Sequence, residues 1–179
     1  MLLLLRLKPF SIFLLLMIPM LTGGILELAP YFSSVNTIRL QIIGVNISTI
    51  FAVLFSAWMA TLTWVIAPGM VRRSFLVAGL SLSMAFRAWQ DSWSIDALLI
   101  TGKMPAVEDV PIGSPLFVLH ALVSLFILYL LVMLAVWLVR KEKAAGIKAQ
   151  SLGITILQFM AFPVGLFWTH KRVRTLTLH

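Results

Sequence analysis

The sequence has no cysteine among its 179 residues, and only 11% of them are charged. Without thiols the chain can form neither disulfides nor thiolate metal sites, and thiol catalysis is excluded. Ordinary soluble domains have about 25% charged residues. The hydrophobic fraction of 61% is more than a small soluble fold can hide, because such a fold still exposes about a third of its unfolded surface. The composition therefore excludes a soluble enzyme, a disordered chain and a nucleic-acid-binding module, and it predicts a protein of the lipid bilayer.

Acidic residues are scarce as well, with 6 Asp and Glu against 14 Lys and Arg and a formal net charge of +8. In a soluble protein this balance would favour a nucleic-acid partner. Here the cations stand at the ends of apolar runs, where basic residues set membrane topology and contact anionic lipid headgroups. We predict no nucleic-acid partner. The predicted headgroup contacts are Arg72, Arg73, Arg140, Lys141, Lys143, Lys171, Arg172 and Arg174.

Four apolar runs are long enough to cross a bilayer as helices. They cover about residues 9–29, 42–68, 74–98 and 115–139. A signal peptide is the alternative for the first run, but its length and the poor cleavage site at Glu27-Leu28-Ala29 favour a retained span. Pro19 predicts a kink within that span.

The distribution of Lys and Arg predicts the orientation. With a cytoplasmic N-terminus, eight of these residues fall in the inner segments before the fifth run, and two, Arg39 and Lys103, fall in the outer loops. This bias follows the positive-inside rule. We therefore expect a single integral membrane domain, residues 1–179, folded as an all-α bundle of four spans in a bacterial cytoplasmic membrane.

A fifth apolar run, residues 151–168, does not fit a simple crossing. A crossing would place Lys171, Arg172 and Arg174 outside, against the charge rule. The run is near the lower length limit for a span, and Pro163 and Gly165 break its helical pattern. We predict that it dips into the membrane and returns; a full fifth span is the alternative.

Small residues recur at spacings of three and four along the second run. Such a face lets helices approach closely in lipid, so we predict a helix-packing face rather than a polar transport path. Its members are Thr49, Ala52, Ser56, Ala60 and Thr63.

Four ionisable residues within or beside the spans are candidates for a functional site. Arg87 and Asp91 share a helical face, and Glu27 is predicted at the depth of Arg87 and could pair with it. His120 begins the fourth span, after Glu108 and Asp109. All are predicted close to the outer interface, where we favour a structural role over a functional one. No metal-ligand spacing surrounds His120, so we predict no metal site.

The sequence lacks the nucleophile-elbow, zinc-protease and phosphate-loop motifs. We therefore expect no enzyme and no cofactor. The favoured function is a non-enzymatic accessory or assembly subunit that packs against a partner protein or a second copy of itself. A small oligomeric transporter or channel, and a lipid-modifying enzyme that uses the outer polar residues, are the alternatives.

The C-terminal third resembles a family of small multi-pass bacterial membrane proteins, common in Bacteroidetes, that end in a Phe-Pro-Ile-Gly-Ile-Trp-like motif and a basic tail. The resemblance covers roughly residues 115–174 and implies a membrane location without an established activity. It rests on Pro115-Leu116-Phe117 through His120, on Tyr129, on the basic stretch with Glu142, and on Phe162-Pro163-Val164-Gly165-Leu166-Phe167-Trp168 ahead of Arg172 and Arg174.

Overall fold

The computed structural model describes residues 3–28, 37–103, 105, 113–161 and 164–178. In these ranges the chain is helical with short connections and contains no strand, which confirms the all-α class. The helices are α1 (Leu3–Arg6), α2 (Pro9–Leu28), α3 (Thr37–Ile66), α4 (Met70–Thr101), α5 (Pro115–Ala144), α6 (Leu152–Met160) and α7 (Val164–Leu178).

Among the described residues, three helices are long and apolar enough to cross a membrane: Pro9–Leu28, Ile38–Ile66 and Pro115–Ala144. Pro19 lies inside α2 without ending it. The third predicted span, residues 74–98, falls within α4, which is not one of the three although it has 32 residues. Serines and charged residues, among them Arg87 and Asp91, lower its hydropathy. The described part of the chain therefore has three helices of clear membrane-spanning composition, and a fourth long helix beside them.

The hydrophobic core lies at one end of the bundle, where α2 and α4 begin and α3 and α5 end. We call it the basal end. α3 is central, since it packs against α1, α2, α4, α5 and α7. Trp58, Leu62 and Ile66 of α3 are almost fully buried there, together with Leu16 of α2 and Leu134 of α5. The core is thus built where the basic residues of the sequence are concentrated.

The bundle presents apolar side chains on its outer surface. Ile18 of α2 is 59% exposed, Leu82 of α4 is 72% exposed and Leu125 of α5 is 61% exposed. A water-soluble monomer seldom exposes apolar patches of this extent. In lipid the same surface needs no burial, so this distribution agrees with a membrane location.

Residues 151–168, predicted as one membrane-dipping segment, contribute to two helices. α6 ends at Met160 and α7 begins at Val164, while Pro163 lies outside the described residues. Gly165 packs against the end of α6, where an added Cβ would lie 1.7 Å from the carbonyl oxygen of Gln158. The two helices are antiparallel, because Gly165 meets Gln158 while Arg172, further along α7, reaches back to Thr155 and Gln150. We call α6 and α7 together the C-terminal hairpin.

α2 and α3 approach each other closely near the opposite end of the bundle. An added Cβ at Gly23 would lie 2.5 Å from Ser48 Oγ, and one at Gly44 would lie 2.8 Å from the Glu27 nitrogen. Close backbone approach through small residues is a usual way to join helices in lipid. This contact brings Glu27 of α2 against Ser48 of α3.

Candidate functional site

The small-residue stripe predicted on α3 lies along its contact with α4. At one end, Thr49 donates a hydrogen bond from Oγ1 to Asp91 Oδ2 at 2.5 Å. At the other end, Thr63 is fully buried and donates to the Met59 carbonyl oxygen at 2.8 Å. Between them, Ala52, Ser56 and Ala60 are only half-buried. α4 therefore covers part of this face and leaves part of it open.

Arg87 and Asp91 form an ion pair on α4, with Arg87 Nε 2.9 Å from Asp91 Oδ1. Asp91 is buried, whereas the Arg87 side chain is 45% exposed. Thr49 binds the second carboxylate oxygen, so both oxygens of Asp91 have a donor. The spacing of four residues on one helical face accounts for the pair.

Glu27 does not form the ion pair with Arg87 that the sequence left open. Its carboxylate accepts a hydrogen bond from Ser48 Oγ across the close α2–α3 contact. The ion pairs in the described part of the chain are Arg87–Asp91 and Glu142–Arg172. The correction has a simple cause: Asp91 is one helical turn from Arg87 on the same helix, so it takes the Nε edge of the guanidinium.

His120 is exposed at the start of α5, and its Nδ1 lies 3.3 Å from Gln90 Nε2 of α4. Glu108 and Asp109 lie outside the described residues. In the ranges that are described, no three His, Asp or Glu side chains are grouped so that they could hold a metal ion.

A second polar cluster, at the basal end, was not predicted from the sequence. Arg172 of α7 donates two parallel hydrogen bonds to the carboxylate of Glu142 of α5, 2.7 Å from Nε to Oε1 and 2.6 Å from Nη2 to Oε2. Nη1 of Arg172 donates to Gln150, Thr155 and Gln158 at 2.8 to 3.2 Å. The Glu142 side chain is 4% exposed and the Arg172 side chain 12%. We call these five residues the basal clamp.

The clamp corrects the role expected of Arg172, whose guanidinium is taken up by protein acceptors rather than presented to lipid headgroups. A bidentate arginine–carboxylate pair combines charge with fixed geometry. Glu142 is the lone acid in the run Arg140-Lys141-Glu142-Lys143, and this was the one signal in the sequence that could have indicated a buried partner. The clamp joins the end of α5 to the far part of the C-terminal hairpin.

Other predicted headgroup residues also make contacts within the protein. Lys141 Nζ donates to the Val65 carbonyl oxygen at 2.6 Å, and Arg73 Nε donates to the Ala67 carbonyl oxygen at 2.7 Å. The Arg72 guanidinium lies 5.8 Å from the centre of the Trp137 ring. Of the remaining predicted headgroup residues, Arg140, Lys143 and Lys171 are exposed and Arg174 is half-buried.

His170 connects the hairpin to the N-terminal segment. The ring is fully buried, and its Nε2 lies 3.1 Å from the Leu7 carbonyl oxygen, to which it donates. Nδ1 is buried and has no partner in the described ranges. Burial lowers the pKa of His170 below its ordinary value; the bond to Leu7 opposes the shift, and the charge of Arg174 adds to it. The ring is therefore neutral at physiological pH, and its protonation would place a charge in this buried position.

Comparison with known proteins gives no match: no family model, no curated protein and no solved structure is similar to the chain at a significant level. The resemblance of residues 115–174 to a bacterial family stays a prediction.

Proposed function

We propose that the chain crosses the membrane four times, through α2, α3, α4 and α5, with its N-terminus in the cytoplasm of a bacterial cell. α4 supports this assignment by its length of 32 residues and by its packing against α3 and α5. Arg72 and Arg73 lie at its start, Asp91 and Asp96 lie in its last third, and Arg87, near its middle, is paired with Asp91. Such a helix can span because charges near helix ends reach the interface.

The C-terminal hairpin is, in this proposal, a segment that enters the membrane from the cytoplasmic side and returns. The basal clamp supports the return, since it bonds Arg172 of α7 directly to Glu142 at the end of α5. α6 has 9 residues, and at about 1.5 Å per residue it is about 14 Å long, half of a bilayer core of about 30 Å. Lys171 and Arg174 then stay on the cytoplasmic side, as the charge rule favours.

The function we propose is that of a non-enzymatic accessory or assembly subunit that binds another membrane helix. The observation that carries this proposal is an open groove between α3 and α4. Ser56, Ala57 and Ala60 line the α3 wall beside Val53, and Ser81 lines the α4 wall among Val77, Leu80 and Met84, around a space of about 300 Å³. The small residues of the α3 wall, with Ser81 opposite them, allow the backbone of a third helix to come close, which is how helices associate in lipid.

The internal hydrogen bonds favour this function over transport or catalysis. The carboxylates of Asp91 and Glu142 are buried and bonded to side chains of the protein itself. The hydroxyls of Thr61 and Thr63 donate to carbonyl oxygens one turn earlier in α3. These polar groups serve the fold, whereas a transport path or catalytic site requires groups directed at a substrate.

A co-purification experiment with matched variants tests the proposal. Ser81→Leu fills the groove, while Ser124→Leu makes the same change at an exposed position of α5. The wild-type protein and the Ser124→Leu variant, extracted in mild detergent, should carry the same partner in stoichiometric amount, either a second copy or another membrane protein. Ser81→Leu should lose it. Equal recovery of the partner with both variants would contradict docking at the groove.

A further inference from the structure

A second open pocket lies between α2, α3 and α4, away from the basal end. It has a volume of about 300 Å³ and is lined by Met20, Gly24, Ser48, Phe51, Ala52 and Arg87. A rise of about 1.5 Å per residue puts Arg87 about 26 Å from the start of α4 and Ser48 about 27 Å from the end of α3. With the four-span topology proposed above and a bilayer core about 30 Å thick, the pocket lies at the level where the outer leaflet passes from acyl chains to headgroups.

One edge of the Arg87 guanidinium contacts a protein carboxylate, and the other edge is available to a ligand. Asp91 takes its Nε edge at 2.9 Å, and Thr49 fixes Asp91 in turn at 2.5 Å. In the described part of the chain, Nη1 and Nη2 of Arg87 have no protein acceptor. An arginine presenting two parallel N–H groups is suited to a phosphate, which it binds through charge-assisted hydrogen bonds.

A carboxylate stands beside this cation. Ser48 is part of the pocket wall, and its hydroxyl donates to Oε1 of Glu27, which places the Glu27 carboxylate next to the pocket. Since Asp91 already balances Arg87, Glu27 is an uncompensated negative charge. A ligand with only a negative headgroup would be repelled by Glu27, whereas a headgroup that also carries an ammonium would be attracted.

We propose that this pocket binds a zwitterionic phospholipid with a primary amine, of the phosphatidylethanolamine type. The phosphate binds the Nη edge of Arg87, and the ammonium donates to Glu27. Met20 and Phe51 supply apolar walls for the start of the acyl chains, while Gly24 and Ala52 leave room for them. Choline headgroups are disfavoured because they have no N–H to donate.

The test is a lipid competition on the purified full-length protein. The protein in detergent is mixed with equal amounts of phosphatidylethanolamine, phosphatidylglycerol and phosphatidylcholine, and retained lipid is counted by native mass spectrometry. The wild-type protein should retain phosphatidylethanolamine at least several-fold over the other two. Inorganic phosphate at millimolar concentration should not displace it; displacement would show a site for a free anion and overturn the lipid assignment.

Three variants test the roles of Arg87 and Glu27 in lipid binding. Arg87→Gln should reduce phosphatidylethanolamine retention about tenfold, the effect of one lost charge-assisted contact. Glu27→Gln should keep a lipid but shift the preference towards phosphatidylglycerol. Arg39→Gln, which removes an exposed cation from the same end of α3, is the control and should retain lipid as the wild type does.

A fourth variant covers the case in which Arg87→Gln fails to fold. Ala52→Phe fills the pocket without altering a charge, and it should also lose the lipid while thermal unfolding shows an intact fold. Equal retention of the three lipids by the wild type, or unchanged retention in folded Ala52→Phe, would overturn the proposal.

Discussion

Removing Arg172 should destabilise the protein far more than removing any exposed cation. In Arg172→Met, Glu142 stays buried at 3% exposure and loses both of its charge-assisted hydrogen bonds. Breaking one side of a buried ion pair costs about 3–5 kcal/mol. Arg140→Met, a change at an exposed position two residues before Glu142, is the matched control and should alter the free energy of unfolding by less than about 0.5 kcal/mol.

The double variant Glu142→Leu/Arg172→Met tests whether the two residues act as a pair. Removing both charges leaves no uncompensated carboxylate, and Thr155 keeps its hydrogen bond to the Ser151 carbonyl oxygen. Well-packed apolar replacements of buried ion pairs are often neutral. We therefore expect the double variant to be more stable than Arg172→Met alone, with a coupling energy of about 2–3 kcal/mol, at the upper end of values for contacting residues.

The assay is equilibrium unfolding in mixed micelles, followed by tryptophan fluorescence. Hydrogen exchange along α7 provides a second measurement, since the hairpin could detach while the rest of the bundle stays folded. Arg172→Met should lose amide protection in α7 first. If the effects of the two single changes simply add in the double variant, and protection of α7 is unchanged, the basal clamp does not hold the hairpin.

Three further changes probe other contacts. Gly165→Ala should destabilise the protein by about 3 kcal/mol or more in the same unfolding assay, because its methyl group would lie 1.7 Å from the Gln158 carbonyl oxygen. The control is Gly153→Ala, where the added methyl group contacts no other atom. Since burial lowers the pKa of His170, the unfolded chain binds more protons than the folded chain below about pH 6.5. The free energy of unfolding should therefore fall as the pH drops from 7.5 to 5.5. The His170→Gln variant should lose that part of the pH dependence. In double-mutant cycles, Arg87→Gln should couple with Asp91→Asn and add simply with Glu27→Gln; the reverse pattern would restore the pairing of Glu27 with Arg87.

The sequence predicts the helices well and their ends poorly. Apolar runs and flanking cations indicate where helices lie, because the bilayer imposes both length and composition. Yet α3 begins at Thr37, five residues before the predicted start at 42, and includes Gln41, which is buried in the bundle. α5 continues past 139 to Ala144. Lys141 and Glu142 each have a partner on another helix there, and hydropathy carries no information about such partners.

The same limit applies to the candidate sites: contacts within one helix could be predicted from the sequence, and contacts between distant residues could not. The Arg87–Asp91 pair is local, four residues apart on one helix, and helical spacing alone predicts it. The Glu142–Arg172 pair joins residues 30 apart, and it depends on the direction in which α7 leaves α6. The break at Pro163 and Gly165 could be predicted from the sequence, but the direction of the returning helix could not. For that reason the charge pattern assigns Arg172 to the lipid headgroups, whereas the structure pairs it with Glu142.

Cysteine accessibility tests the central claim, that the C-terminal hairpin returns to the side of the membrane on which α5 ends. The chain has no native cysteine, so a single cysteine appended after His179 is the only thiol. In intact cells it should resist an impermeant thiol reagent and become labelled after permeabilisation, as should Ala145→Cys, while Pro105→Cys should be labelled in intact cells. Labelling of the appended cysteine from outside, with Ala145→Cys still protected, would mean that the chain crosses once more after α5 and would contradict the account.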